Sequence, residues 1–132
     1  MNINIETIPP ILLTAMFFLS GFNKINKFTK TVENLQSKIN LNINENIYKL
    51  IIALVVILEI LAPVIIVYYY ITGKDLVRQG TIYAIYGLII FTILASILYH
   101  PLYVNDYFKS IPFWANMSLI GGLLLLLRDV KG

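Results

Sequence analysis

The chain has 132 residues, of which 58% are hydrophobic and only 13% charged, with a formal net charge of +3. Soluble domains average about a quarter charged residues, so too few charges remain here to coat a water-facing surface, and a soluble globular protein is all but excluded. Zero cysteines exclude disulfides, thiolate metal sites and a CxxC redox centre on this chain, and with them the chemistry of four-helix membrane thiol oxidoreductases.

The length fits one domain, 1–132. Apolar runs of about 20 residues mark membrane helices, and four are present. The first covers 8–23 and carries Pro9 and Pro10 in its first turn, where proline is tolerated. It does not read as a cleaved signal peptide. It lacks a basic n-region and a small-x-small cleavage site, and Lys24 follows closely. In the long connection 24–49, Phe28, Val32, Leu35 and Ile39 recur at helical spacing, with Lys30, Glu33 and Lys38 off that face. This predicts an amphipathic helix over 28–39, lying in the membrane interface. The following "NLNINENI" alternates polar and apolar residues and reads as a flexible linker or a short extended segment.

The second span covers 50–71. Residues 72–80, "TGKDLVRQG", predict a short turn. The third span covers 81–99 and is stopped by Pro101 in the connection 100–110. The fourth covers 111–127, with Pro112 at its start. None of these runs alternates as a transmembrane strand would. The expected fold is therefore all-α, an antiparallel four-helix transmembrane bundle with the amphipathic helix in its first loop. Ser20, Gly21, Ala62, Gly87, Ala95, Ser96, Gly121 and Gly122 are the small residues available for helix pairing. Tyr68, Tyr69 and Tyr70 at one end, and Tyr99, Tyr103 and Trp114 at the other, read as interfacial belts.

The ten Lys and Arg residues flank the spans instead of forming a patch for nucleic acid. Lys24, Lys27, Lys30, Lys38, Lys49 and Lys109 fall on one side. Lys74, Arg78, Arg128 and Lys131 fall on the other. Positive-inside counting does not separate the two orientations.

Polar groups inside the spans carry the functional information. Glu59 lies about 13 Å into the second span at 1.5 Å per residue. A carboxylate at such depth faces the protein interior, a partner or a water-filled cavity. Pro63, one turn on, cannot donate the hydrogen bond that the Glu59 carbonyl would accept. Glu59 is thus either a helix-bonding group or a proton-exchanging one. Ser20, Asn23 and Lys24 close the first span on the side where the second begins, His100 caps the third there, and Asn116 and Ser118 lie about 8–11 Å into the fourth. Depth alone gathers these seven residues into a polar pocket roofed by 28–39. Each also has a plainer role. Lys24 can snorkel to the interface, His100 can cap carbonyls, and Asn116 and Ser118 can tie helices together. One histidine is a poor metal or haem signature, so no metal is expected.

On "FFLSGFNKI" (17–25), the glutamate of "LEILAPVIIV" (58–67), "YHP" (99–101) and "NMSLIGGLLLLL" (116–127), the chain resembles the DoxX/DoxD-like family of small four-helix membrane proteins. The order matches the family's small-Gly-x-x-Lys end of the first helix, its amphipathic segment, its Glu on the second helix and its Asn on the fourth. Pro63 and the Asn-rich linker depart from that pattern. The resemblance implies a membrane subunit of a thiosulfate- or thiol-linked oxidoreductase system, with both termini cytoplasmic. Distant relatives include a cargo receptor of the early secretory pathway and chaperones for receptor assembly. Three functions follow as expectations. The pocket binds a quinone head with Glu59 exchanging its proton, or it holds a client protein's segment, or Glu59 merely locks helices in a scaffold. The expected partners are the lipid bilayer and a protein subunit or client.

Overall fold

A computed structural model of the chain describes residues 7–39, 44–99 and 111–132. His100, Pro101, Tyr103 and Lys109 lie outside the described residues. Among the described residues five α-helices follow in order: α1 (Ile8–Asn26), α2 (Phe28–Ile39), α3 (Glu45–Thr72), α4 (Arg78–Tyr99) and α5 (Ile111–Lys131), with a 3-10 turn at Asp75–Val77. There is no strand among the described residues. Helices α1, α3, α4 (with the 3-10 turn) and α5 are long and apolar enough to cross a membrane, the mark of a multi-pass integral membrane protein.

The helix ends correct the sequence-based bounds. Pro9 and Pro10 lie in the first turn of α1, as expected, but the helix runs past 23 to Asn26. The polar residues there continue its hydrogen bonds. α3 starts at Glu45 instead of 50, so the second half of "NLNINENI" is helix and not linker. The Asn44 side chain causes this, accepting the Asn46 N–H at 3.0 Å as an N-cap. α3 ends at Gly73, whose φ of +67° is the left-handed geometry glycine adopts freely, with its N–H on the Tyr69 carbonyl. The expected turn over 72–80 is shorter. α4 already begins at Arg78, and Gly80 lies inside it.

The long helices pack in the order α1, α3, α4, α5, and α1 meets α5 only lightly. The main core joins Phe17 of α1, Ala62 and Ile66 of α3, Ile85 and Leu88 of α4, and Leu123 and Val130 of α5. Between apolar helices in lipid, close packing replaces the hydrophobic effect as the source of cohesion. The small residues provide it. A Cβ on Gly21 would stand 2.8 Å from Ile60 Cγ1, one on Gly87 2.9 Å from Leu58 Cδ1, and one on Gly122 3.0 Å from Leu13 Cδ1. Gly121 faces open space. The outward faces carry exposed Leu12, Leu19, Ile57 and Leu125, as a lipid-facing surface would.

α2 forms a second, smaller core. Val32 and Leu35, two residues of its predicted apolar stripe, are buried against Tyr48 and Ile52 of α3, with Phe28, Ile51 and Val56 around them. Val32 and Leu35 of that stripe are therefore covered by protein, with Phe28 half-buried beside them.

At the far end, α5 is tied back to the rest. Arg78 donates through Nε to the Val130 carbonyl at 2.7 Å and through Nη2 to the Lys131 carbonyl. Tyr70 donates its hydroxyl to Asp129 at 2.7 Å.

Candidate functional site

The site begins with the two charges placed inside the apolar helices. α1 carries Lys24 on its last turn, and α3 carries Glu59 near its middle. Gly21 lets the two helices approach, since its missing Cβ would also lie 3.2 Å from Glu59 Cβ. Lys24 Nζ reaches Glu59 Oε1 at 2.6 Å. The carboxylate side chain is 1% accessible and the lysine 21%. The same ammonium donates to Ser20 Oγ at 2.7 Å and stands 5.7 Å from the Phe91 ring centroid, a cation–π contact. A charge-assisted bond of this length balances the two charges, so the carboxylate is tolerated where a lone one would not be.

A second polar tie lies beside the first. Asn116 on α5 donates from Nδ2 to Ser96 Oγ on α4 at 3.0 Å. Ser96 donates to the Thr92 carbonyl, and Thr92 to the Leu88 carbonyl, each at 2.7 Å. These local bonds satisfy two hydroxyls that would otherwise be costly in a buried helix. Among the described residues no buried side-chain nitrogen or oxygen lacks a partner.

Two cavities meet at Lys24. The smaller, about 160 Å³, is lined by Ser20, Lys24, Glu59, Thr92 and Asn116 among apolar residues including Phe17 and Phe91. It has room for about five waters at ~30 Å³ each. The larger, about 540 Å³, lies beneath α2. Asn23, Lys24, Thr31, Asn34 and Leu35 line it from α1 and α2, and Ile51, Ile52 and Val55 from α3. Phe91, Leu94 and Ala95 complete it from α4. Pockets for small molecules span roughly 300–1,000 Å³, so only the larger one accommodates a whole ligand. Lys24, Phe91 and Ala95 border both.

Of the expected site residues, Ser20, Lys24, Glu59 and Asn116 come together around the smaller cavity, and Asn23 joins them through the larger. Ser118 does not. It is exposed and lines neither cavity, because two residues along a helix turn it about 200° from Asn116. His100 lies outside the described residues. Sequence reasoning missed Phe91 and Thr92, and took Ser96 only for a small residue at a helix contact. The spacing of Thr92 and Ser96, one turn apart on an apolar helix, is the signal that could have found them. Phe91 and the aliphatic wall carry no such signal.

Among the described residues no cluster of His, Cys, Asp or Glu could hold a metal ion. The donor set is instead one ammonium, one carboxylate, amides and hydroxyls, facing an apolar wall with an aromatic ring. That set suits a neutral ligand with hydrogen-bonding oxygens and an apolar body. No family model, no curated protein and no solved structure matches the chain, so the reading of this site stands on its own geometry.

Proposed function

We propose that the chain is a DoxX-like membrane subunit of a thiosulfate- or thiol-linked oxidoreductase system, and that the chamber beneath α2 takes the ring of a quinone. In this reading the four long helices cross the bilayer as an antiparallel bundle, α2 lies in the interface, and both termini are cytoplasmic. The family reading rests on the order of the sequence motifs. The ligand reading rests on one observation, the Lys24–Glu59 pair, whose lysine borders both cavities and whose buried carboxylate lines the smaller.

A bound quinone supplies two-electron, two-proton chemistry, with electrons arriving through a partner subunit. The chain's own residues do the rest. Lys24 spends two of its three N–H donors on Ser20 and Glu59, which leaves one for a ring carbonyl in the larger cavity. Because Glu59 neutralises Lys24, the pair favours a neutral acceptor over an anion. A proton taken up on reduction leaves the pair from the Lys24 ammonium and one can return at the Glu59 carboxylate, with the small cavity able to contain the water that carries protons onward. Phe91 presents an aromatic ring to the chamber.

The test is mass spectrometry of small molecules that co-purify in native-lipid particles, with Glu59→Gln alongside. Stoichiometric quinone in the wild type, lost in Glu59→Gln while the helices stay folded, is the expected result. Without the carboxylate the Lys24 charge is no longer balanced, and the chamber no longer favours a neutral acceptor. No quinone in either protein overturns the reading.

A second reading is favoured by the closure of both polar ties. Lys24–Glu59 joins α1 to α3, and Asn116–Ser96 joins α4 to α5. On that reading the pair locks a scaffold, and Glu59→Gln lowers stability with no ligand to lose. A crosslinked client segment recovered from the same particles would instead mark a cargo receptor or assembly chaperone.

A further inference from the structure

The larger cavity has two unlike walls. Ile51, Ile52 and Val55 of α3 and Leu94 of α4 make one side apolar. The α1–α2 side presents Asn23, Lys24, Thr31 and Asn34. The polar side is not uniform either. Thr31 commits its hydroxyl proton to the Lys27 carbonyl at 2.9 Å. The side-chain amides of Asn23 and Asn34 have no partner among the described residues. Asn34 is the one on α2, exposed on that helix while Val32 and Leu35 beside it are buried. Its amide is therefore free to serve a ligand without disturbing the packing that holds α2 in place.

An amide differs from an ammonium or a carboxylate in one useful respect. It offers a donor and an acceptor on one group. Lys24, the charged group on that same side, offers donors alone, and its partner Glu59 lines only the smaller cavity. A para-quinone carries an oxygen at each end of its ring. Oxidised, both oxygens are acceptors, and reduced, both carry a proton to donate. We propose that Asn34 is the second recognition group of the chamber, binding the ring oxygen remote from Lys24 through its NH2 in the oxidised ligand and through Oδ1 in the reduced one. The ligand class is thereby narrowed to rings with oxygens at both ends, as opposed to amphiphiles with a single polar head such as fatty acids or long-chain alcohols. α2 becomes a wall of the site and not only its cover. This inference rests on the reading of the chamber as a quinone site.

The experiment measures equilibrium binding of decyl-benzoquinone and of its quinol to the full chain in lipid nanodiscs, for the wild type, Asn34→Leu and Asn34→Asp. The expected results are as follows. Asn34→Leu weakens both forms about fivefold, the worth of one ordinary hydrogen bond. Asn34→Asp, which keeps an acceptor and loses the donor, weakens the quinone by that factor and leaves the quinol within about twofold of wild type. A merely structural role for Asn34 cannot split the two redox forms. Binding of both forms unchanged in Asn34→Leu overturns the inference, and so does an equal loss of both forms in Asn34→Asp, while in each case quinone binding by the wild type keeps the proposed function. Failure of the wild type to bind either form overturns the function itself and the inference with it.

Discussion

Replacing Lys24 by Met strands a carboxylate that is 1% accessible in the middle of apolar helices. Removing one partner of a buried ion pair costs about 3–5 kcal/mol, because the remaining charge has neither water nor a counter-ion. The reverse change is milder. In Glu59→Gln the ammonium, at 21% accessibility, keeps Ser20 Oγ and can extend along its stem towards the interface. Its loss is that of one charge-assisted bond, about 1.5–3 kcal/mol. The double variant Lys24→Met/Glu59→Gln removes the stranded charge altogether. Its loss is expected to fall short of the sum of the two single losses by a coupling energy of about 2–3 kcal/mol. Reversible denaturation in mixed micelles, followed by circular dichroism, gives the four stabilities of the cycle. Single losses that simply add in the double variant, or a Lys24→Met variant within about 0.5 kcal/mol of wild type, would refute the argument that the pair is a coupled, buried one.

Two glycines test the helix crossing in the same assay. Gly21→Ala places a methyl 2.8 Å from Ile60 Cγ1 and is expected to cost about 1–3 kcal/mol, whereas Gly121→Ala meets nothing within 4 Å and gains up to about 1 kcal/mol of helix propensity. Equal effects at the two sites would contradict the close approach of α1 and α3. Ser96→Ala removes the acceptor of Asn116 and is expected to cost about 0.5–1.5 kcal/mol, while Ser118→Ala, on the exposed face of α5, stays within about 0.5 kcal/mol of wild type. The opposite ranking would mean that α5 is rotated from the orientation described.

The four spans were legible because run length and apolarity decide membrane helices before any finer property does. What composition cannot see is where a helix stops once its apolar face is exhausted. Asn44 caps α3 six residues ahead of the apolar run, and α1 carries Lys24 inside its last turn. The ion pair was within reach for a related reason. Polar atoms in apolar helices have few alternatives, so groups at equal depth find one another, as Lys24, Ser20 and Glu59 do. Depth says nothing of rotation about the helix axis, which is why Ser118 was placed beside Asn116 and is not there. The aliphatic wall of the larger cavity, Ile51, Val55 and Leu94, reads in the sequence like any lipid-facing residue. The clasp of Arg78 on the last carbonyls of α5 and the Tyr70–Asp129 bond join residues 52 and 59 positions apart. Their meeting depends on the register of three helices against one another, which no local pattern encodes.

The charges of the ion pair sit on separate helices, 35 residues apart in the chain, with α2 between them. During synthesis α1 therefore leaves the ribosome before the partner of its lysine exists. A lone acidic residue at the centre of a translocating helix costs roughly 2.5–3.5 kcal/mol at the insertion step. α3 can bear that alone, since its most apolar stretch has a mean hydropathy of 3.2, the highest of the four. α1, at 1.4, has far less in reserve, yet its lysine lies in the last turn, where a long side chain still reaches the membrane surface. The most apolar helix thus carries the deep charge and the less apolar one the shallow charge, so each can enter the bilayer unaided. The pair then forms laterally, when α1 and α3 meet at Gly21, and it marks the point at which two independently inserted helices become one structure.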